Sequence, residues 1–93
     1  MSGLDSMPEG LAPYKRTPSF SEATVPSALT ADHSTKEGVW GLIHVEAGEM
    51  DYIVPSEGRV HKLSAGETCV IRSALLHKVR LGKGAEFFVE FWR

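Results

Sequence analysis

Val39-Trp40-Gly41-Leu42-Ile43-His44-Val45 opens the stretch that decides the fold. Behind it come Met50-Asp51-Tyr52-Ile53-Val54, Val60-His61-Lys62-Leu63, Thr68-Cys69-Val70-Ile71, His77-Lys78-Val79-Arg80-Leu81 and Phe87-Phe88-Val89-Glu90-Phe91-Trp92. These six runs are rich in β-branched and aromatic residues, which suit a pleated, half-buried surface. Between them stand Ala47-Gly48, Pro55-Ser56-Glu57-Gly58, Ala65-Gly66 and Gly82-Lys83-Gly84, residues that turn the chain back on itself. Strand-length runs joined by glycine-containing turns predict an antiparallel sandwich or barrel. No helix-length window keeps an apolar 3.6-residue period without a Gly or Pro break.

Upstream the texture changes. Residues 1–36 hold Pro8, Pro13, Pro18 and Pro26, which fix φ and remove ladder donors. That part is predicted to be an extended N-terminal arm with short edge strands, pinned to the core by Tyr14, Phe20, Val25 and Leu29. Residues 1–7 are expected to form a polar, flexible extension, with residues 8–93 as a single domain. A chain of 93 residues has room for one modest core and no second one.

Alternation assigns faces along each strand. His77, Val79 and Leu81 point one way and Lys78 and Arg80 the other, so His77 is expected to face the interior. The last run is ambiguous, because Phe88, Glu90 and Trp92 share one face and Phe87, Val89 and Phe91 the other. If the first of these covers the core, Glu90 is an ionisable group in an apolar interior.

Composition narrows the function classes. Ten basic and twelve acidic residues give a formal net charge of −2, with both signs scattered and no basic stripe for nucleic acid. No stretch approaches the length of a membrane span, and the N-terminus lacks a basic region followed by an apolar one. A cytoplasmic protein with no nucleic-acid or membrane partner is the expectation. Cys69, the one cysteine, rules out an internal disulfide and sits in an apolar run, as a small buried hydrophobe does.

A buried ionisable group is costly unless it is paired or bound to metal. His77 and Glu90 on an inner face, with His33 just before the first strong strand, are therefore candidate ligands for a divalent ion, Zn, Fe, Ni or Mn. Ile43, Val79, Phe88 and Trp92 are expected to line an apolar pocket beside it. His44 is either a fourth ligand or a residue of a dimer surface, depending on which face of its strand turns inward. His61 reads as part of a solvated strand.

Gly66-Glu67-Thr68-Cys69-Val70-Ile71-Arg72-Ser73-Ala74-Leu75-Leu76-His77 resembles the second cupin motif, in which Gly and His keep this spacing. Arg72 and Ala74 replace its Pro and second Gly. Of the first motif only an outline is visible. Gly48 matches its closing Gly, Gly41 stands at its Glu position, and its paired histidines are reduced to His33. Asp32-His33-Ser34-Thr35-Lys36-Glu37-Gly38-Val39-Trp40-Gly41, with Pro13-Tyr14-Lys15-Arg16-Thr17-Pro18 upstream, is similar to the small cupin domain at the N-terminus of tellurite-resistance protein B. The likeness covers about residues 8–92.

The resemblance implies an all-β fold, a small cupin-type jelly-roll β-barrel, with metal at His33 and His77 and an acidic residue in some members at the position of Glu90. It implies nothing about S-adenosylmethionine, because the methyltransferase that follows this domain in longer proteins has no counterpart here. The functional expectation is a metal-binding small cupin that binds or acts on a small molecule, possible settings being tellurite or oxidative stress tolerance. The alternative is a non-catalytic ligand-binding or sensing module, with or without metal. A homodimer is expected, since a short barrel has edges to cover.

Overall fold

A computed structural model describes residues 7–93; of the expected terminal extension, residues 1–6 lie outside the described part. The turn-bounded runs all become strands. In chain order these are β1 (Pro13–Arg16), β2 (Phe20–Ser21), a short helix α1 (Ser27–Thr30), β3 (Trp40–Ala47), β4 (Glu49–Val54), β5 (Arg59–Ser64), β6 (Thr68–Ile71), β7 (Lys78–Leu81) and β8 (Glu86–Trp92). A single turn of 3-10 helix at Pro55–Glu57 links β4 to β5.

The strands form two antiparallel sheets. The larger has the order β1-β8-β3-β6, with β2 also pairing with β8; the smaller has the order β5-β4-β7. The architecture is all-β, as expected, but among the described residues the two sheets stay separate and do not close into a barrel. Pro13 sits on the edge strand β1, which is where a missing ladder donor is tolerated, and a register irregularity follows it. The sequence predicts an extended arm with short edge strands. The four residues of α1 are a difference, and they carry Leu29 against the core.

Register decides which residues meet inside. Ile43 pairs with Cys69 on one side and Val89 on the other, and Val45 with Phe87, so one inward layer runs across the larger sheet. Tyr52 pairs with Val79 and with His61 in the smaller sheet. The core is Ile43, Val45, Met50, Tyr52, Val54, Leu63, Cys69, Ile71, Val79, Ala85, Phe87 and Val89. Cys69 is a buried thiol, as its apolar run predicts. Phe20, Val25 and Leu29 of the arm pack on this core. Tyr14 does not: it is an exposed aromatic with the Arg93 guanidinium 4.0 Å above its ring.

The β3–β4 turn shows why glycine stands at position 48. Its φ is 67°, and a Cβ there would lie 2.6 Å from the backbone of Gly84 and Ala85. No other residue fits without moving the β7–β8 connection.

Candidate functional site

The His33 and His77 segments form a two-residue bridge outside the regular strands. His33 N–H donates to His77 O at 2.9 Å, and His77 N–H donates to His33 O at 2.7 Å. This exchange brings the two imidazoles together, with ring centroids 4.3 Å apart in an edge-on arrangement. The loops around them are latched twice. Ser73 Oγ accepts the Gly38 N–H at 2.7 Å, and Thr35 Oγ1 accepts the Ala74 N–H at 3.2 Å. The segment His33–Gly38 is thereby fastened to the segment Arg72–His77.

Each imidazole is oriented in the same way. His33 Nδ1 lies 2.9 Å from Ala31 O, and His77 Nδ1 lies 2.7 Å from Leu75 O. A carbonyl oxygen only accepts, so both Nδ1 atoms carry the hydrogen and a neutral ring keeps its lone pair on Nε2. His77 is 2% exposed, and burial lowers its pKa from 6.5 to about 4. The Leu75 carbonyl works against that shift and the neighbouring His33 adds to it. His77 is therefore neutral at physiological pH, with Nε2 unprotonated.

Both rings border a cavity of about 170 Å³, walled by Leu29, Ile71, Val89 and Phe91 and fringed by Thr17, Ser34 and Thr35. Among the described residues no lysine, arginine or carboxylate borders it. Deeper in, the ring of Tyr52 lies 5.5 Å from that of His77 and 5.9 Å from that of His61, so aromatic groups continue from the rim into the core.

The remaining expected site residues lie elsewhere. Inward-facing Gly41, Ile43 and Val45 on β3 are fully or nearly buried, and the matching residues on β8 are Phe87 and Val89. Glu90, Phe88 and Trp92 therefore turn outward, and the structure does not bring Glu90 to the histidine pair. Glu90 Oε1 instead lies 2.7 Å from His44 Nε2, with 27% and 29% of the two side chains exposed. His44 stacks on Phe88 at 4.5 Å, and the Arg16 guanidinium lies 3.8 Å above the Phe88 ring. Ile43 and Val79 face inward as expected, but as closed core. None of the four expected pocket residues borders the cavity at His33 and His77.

The lining that sequence reasoning missed is Thr17, Leu29, Ser34, Thr35, Ile71, Val89 and Phe91. Val89 and Phe91 follow once the opposite face of β8 is turned inward. His61 is half-buried beside Tyr52, where its shared parity with Leu63 places it; the expected solvated position is corrected on that ground. Among the described residues no group of three or more His, Cys, Asp or Glu is arranged to hold a metal ion.

These features define a small all-β domain of two facing sheets with a histidine pair at the rim of an apolar cavity. A family model for the TehB-like domain matches residues 15–89, and the chain belongs to that family. Among solved structures it is similar to a protein of Escherichia coli strain K12, with 19% identity over 97% of both chains and a TM-score of 0.90. It is also similar to TehB from Haemophilus influenzae, with 21% identity over 88% of this chain and a TM-score of 0.77. The match spans 31% of that TehB chain. At these identities the likeness establishes a shared fold. No curated protein sequence is significantly similar to this one.

Proposed function

We propose that this domain binds a small molecule at the His33–His77 pair, with a divalent metal ion as the group that links protein to ligand. The observation that carries the reading is the paired orientation of the imidazoles. A histidine whose Nδ1 hydrogen is committed to a backbone carbonyl presents Nε2 as a fixed lone pair, the arrangement found behind metal-bound histidines. Here two adjacent rings share it. Burial keeps His77 from competing for a proton. Imidazole suits Zn, Fe and Ni, and two protein ligands leave several positions for water or substrate. A bound ion would polarise an oxygen-containing ligand.

The cavity volume corresponds to roughly half a dozen water-sized groups, so the ligand is small. Its apolar wall favours a molecule with a hydrocarbon side. The paired antiparallel sheets and the Gly66–His77 segment support a cupin-type reading of the fold. The resemblance to tellurite-resistance protein B supports a setting in stress tolerance.

Gly41 bears on the ligand count. Where the motif has Glu this chain has Gly, and a Cβ there would lie 3.0 Å from Ile71 Cδ1. The side chain of Ile71 fills the room a carboxylate would need. That observation favours a second reading, a metal-free binder in which the two Nε2 atoms accept hydrogen bonds from the ligand.

Metal analysis of untagged protein separates the two. Stoichiometric Zn, Fe, Ni or Mn that vanishes in His33→Ala and in His77→Ala, and persists in Glu90→Gln, is the expected result. Metal-free protein that cannot be loaded in dialysis supports the second reading. Metal lost in Glu90→Gln overturns the site as drawn.

A further inference from the structure

Building on the metal-bound reading of the His33–His77 pair, we infer that the ligand of its cavity is a small monocarboxylate with a compact hydrocarbon tail. The hydrogen-bond donors around the cavity are already committed. Thr17 Oγ1 donates to Pro18 O at 2.8 Å and accepts the Val89 N–H at 3.0 Å. Thr35 Oγ1 donates to Arg72 O at 3.4 Å and accepts the Ala74 N–H at 3.2 Å. The amides of Thr17, Leu29, His33 and His77 each donate to a backbone carbonyl. Both Nδ1 hydrogens are spent on carbonyls as well. Apart from Ser34, the exposed member of the lining, what remains is two Nε2 lone pairs and the hydrocarbon of Leu29, Ile71, Val89 and Phe91.

Charge decides the class of ligand. A divalent ion on two neutral imidazoles keeps its whole double positive charge. A charge away from water is costly unless an opposite one balances it. Among the described residues no carboxylate borders the cavity to do so. Asp32, the nearest in sequence to His33, is itself paired with Lys78 at 3.9 Å. The negative charge therefore arrives with the ligand.

The wall decides the rest. An inorganic oxyanion would turn oxygens toward Leu29, Ile71, Val89 and Phe91, where no donor meets them, and a dicarboxylate would turn a whole charge that way. A hydrocarbon tail gains from the same wall. The 170 Å³ available holds roughly half a dozen water-sized groups, enough for one carboxyl group and about three or four carbons beyond it.

NMR titration of the zinc-loaded and the chelator-stripped full chain with 3-methylbutanoate tests it. The alcohol and the amine of the same carbon skeleton vary the charge at constant shape, and succinate and inorganic phosphate keep negative charge without the tail. Zinc-loaded protein is expected to bind 3-methylbutanoate about tenfold or more tighter than any of the other four. The methyl resonances of Leu29, Ile71 and Val89 should shift, and stripped protein should lose the preference. Leu29→Glu supplies the missing charge from the wall, so it should keep zinc and bring the ratio of carboxylate to alcohol affinity toward one. Leu29→Gln should preserve that ratio. If Leu29→Glu does not fold, Ser34→Asp serves in its place. Zinc that binds without any preference for the carboxylate overturns the ligand class and leaves the metal reading standing. A chain that takes up no zinc and prefers the amine or the alcohol, as two bare acceptors require, overturns both. Shifts that map away from the cavity, or a ratio that the acidic variant leaves untouched, also overturn the ligand class.

Discussion

His33 with His77, and His44 with Glu90, are two side-chain pairs, each containing histidine, on opposite sides of one sheet. The first pair is held by backbone carbonyls beside an apolar cavity, and His77 is sealed from water. The second is held side chain to side chain on a face where more than a quarter of each group remains exposed. The contrast teaches that strand parity, rather than residue type, decides which ionisable groups can do site chemistry. A carboxylate–imidazole contact open to solvent is screened and worth little, whereas an imidazole in a dry site is forced neutral and keeps a lone pair.

The sharpest way to break the comparison is at two neighbouring phenylalanines. Phe87 is 0% exposed and Phe88 is half-buried on the other face. Phe87→Ala is expected to cost about 3–5 kcal/mol by opening a core cavity. Phe88→Ala, which loses the stacking with His44 and Arg16, is expected to cost about 1 kcal/mol. Urea titrations of both variants at low micromolar concentration check the ratio. Equal losses would mean that the face assignment of β8 is wrong.

Acid separates the two histidine pairs next. His77 has a folded-state pKa of about 4 against 6.5 in the unfolded chain, so the unfolded state takes up its proton first. Its stability contribution is complete above pH 6.5 and is lost as pH falls from 6.5 toward 4, on the order of 3 kcal/mol in all. In protein stripped with chelator, the gap between wild type and His77→Gln should shrink by about that much between pH 7.5 and pH 4. Carboxylate titrations cancel in the difference. A gap that stays constant across this range would show that His77 is not held neutral by burial.

The outer pair gives a smaller effect. Glu90→Gln keeps a hydrogen-bonding oxygen beside His44 and removes the charge, so it is expected to cost no more than about 1 kcal/mol at pH 7. Most of that loss should disappear in 1 M salt, where screening lengths fall to about 3 Å. A loss of several kcal/mol, insensitive to salt, would place the pair in a drier setting than its exposure indicates.

Much of this contrast was legible before any coordinates. The six apolar runs and their glycine turns each became a strand, and His77 faced inward with Val79 as alternation required. Parity on β8 was not legible, because both of its faces are nearly apolar. The ladder to β3 settled it, by setting Val89 opposite Ile43. The approach of His33 to His77 depends on two irregular segments far apart in sequence. No local spacing encodes it; the position of His33 just before the first strong strand suggested it, and the resemblance to a known domain strengthened it. The wall at Leu29 was missed for a related reason. One turn of helix in a proline-rich arm has too few residues to leave a period.

Ala74 yields the smallest effect and bears on how the histidine rim is built. It is the one non-glycine residue among those described with positive φ, at 57°. In the motif that Gly66–His77 resembles, glycine stands there, and the backbone has kept the glycine conformation after the side chain changed. For an L-residue that geometry costs about 1–2 kcal/mol. Glycine would relieve it but would lose about 0.5–1 kcal/mol to the greater freedom of the unfolded chain. Ala74→Gly is therefore expected to stabilise by somewhat under 1 kcal/mol, a rise in Tm of a few degrees for a domain this size. The Ala74 N–H still donates to Thr35 Oγ1, so the latch between the two histidine-bearing segments should survive. Ala74→Val, with a branched side chain in the same conformation, should fall on the other side of wild type. If both variants melt lower than wild type, the left-handed turn at the rim is not where the strain resides.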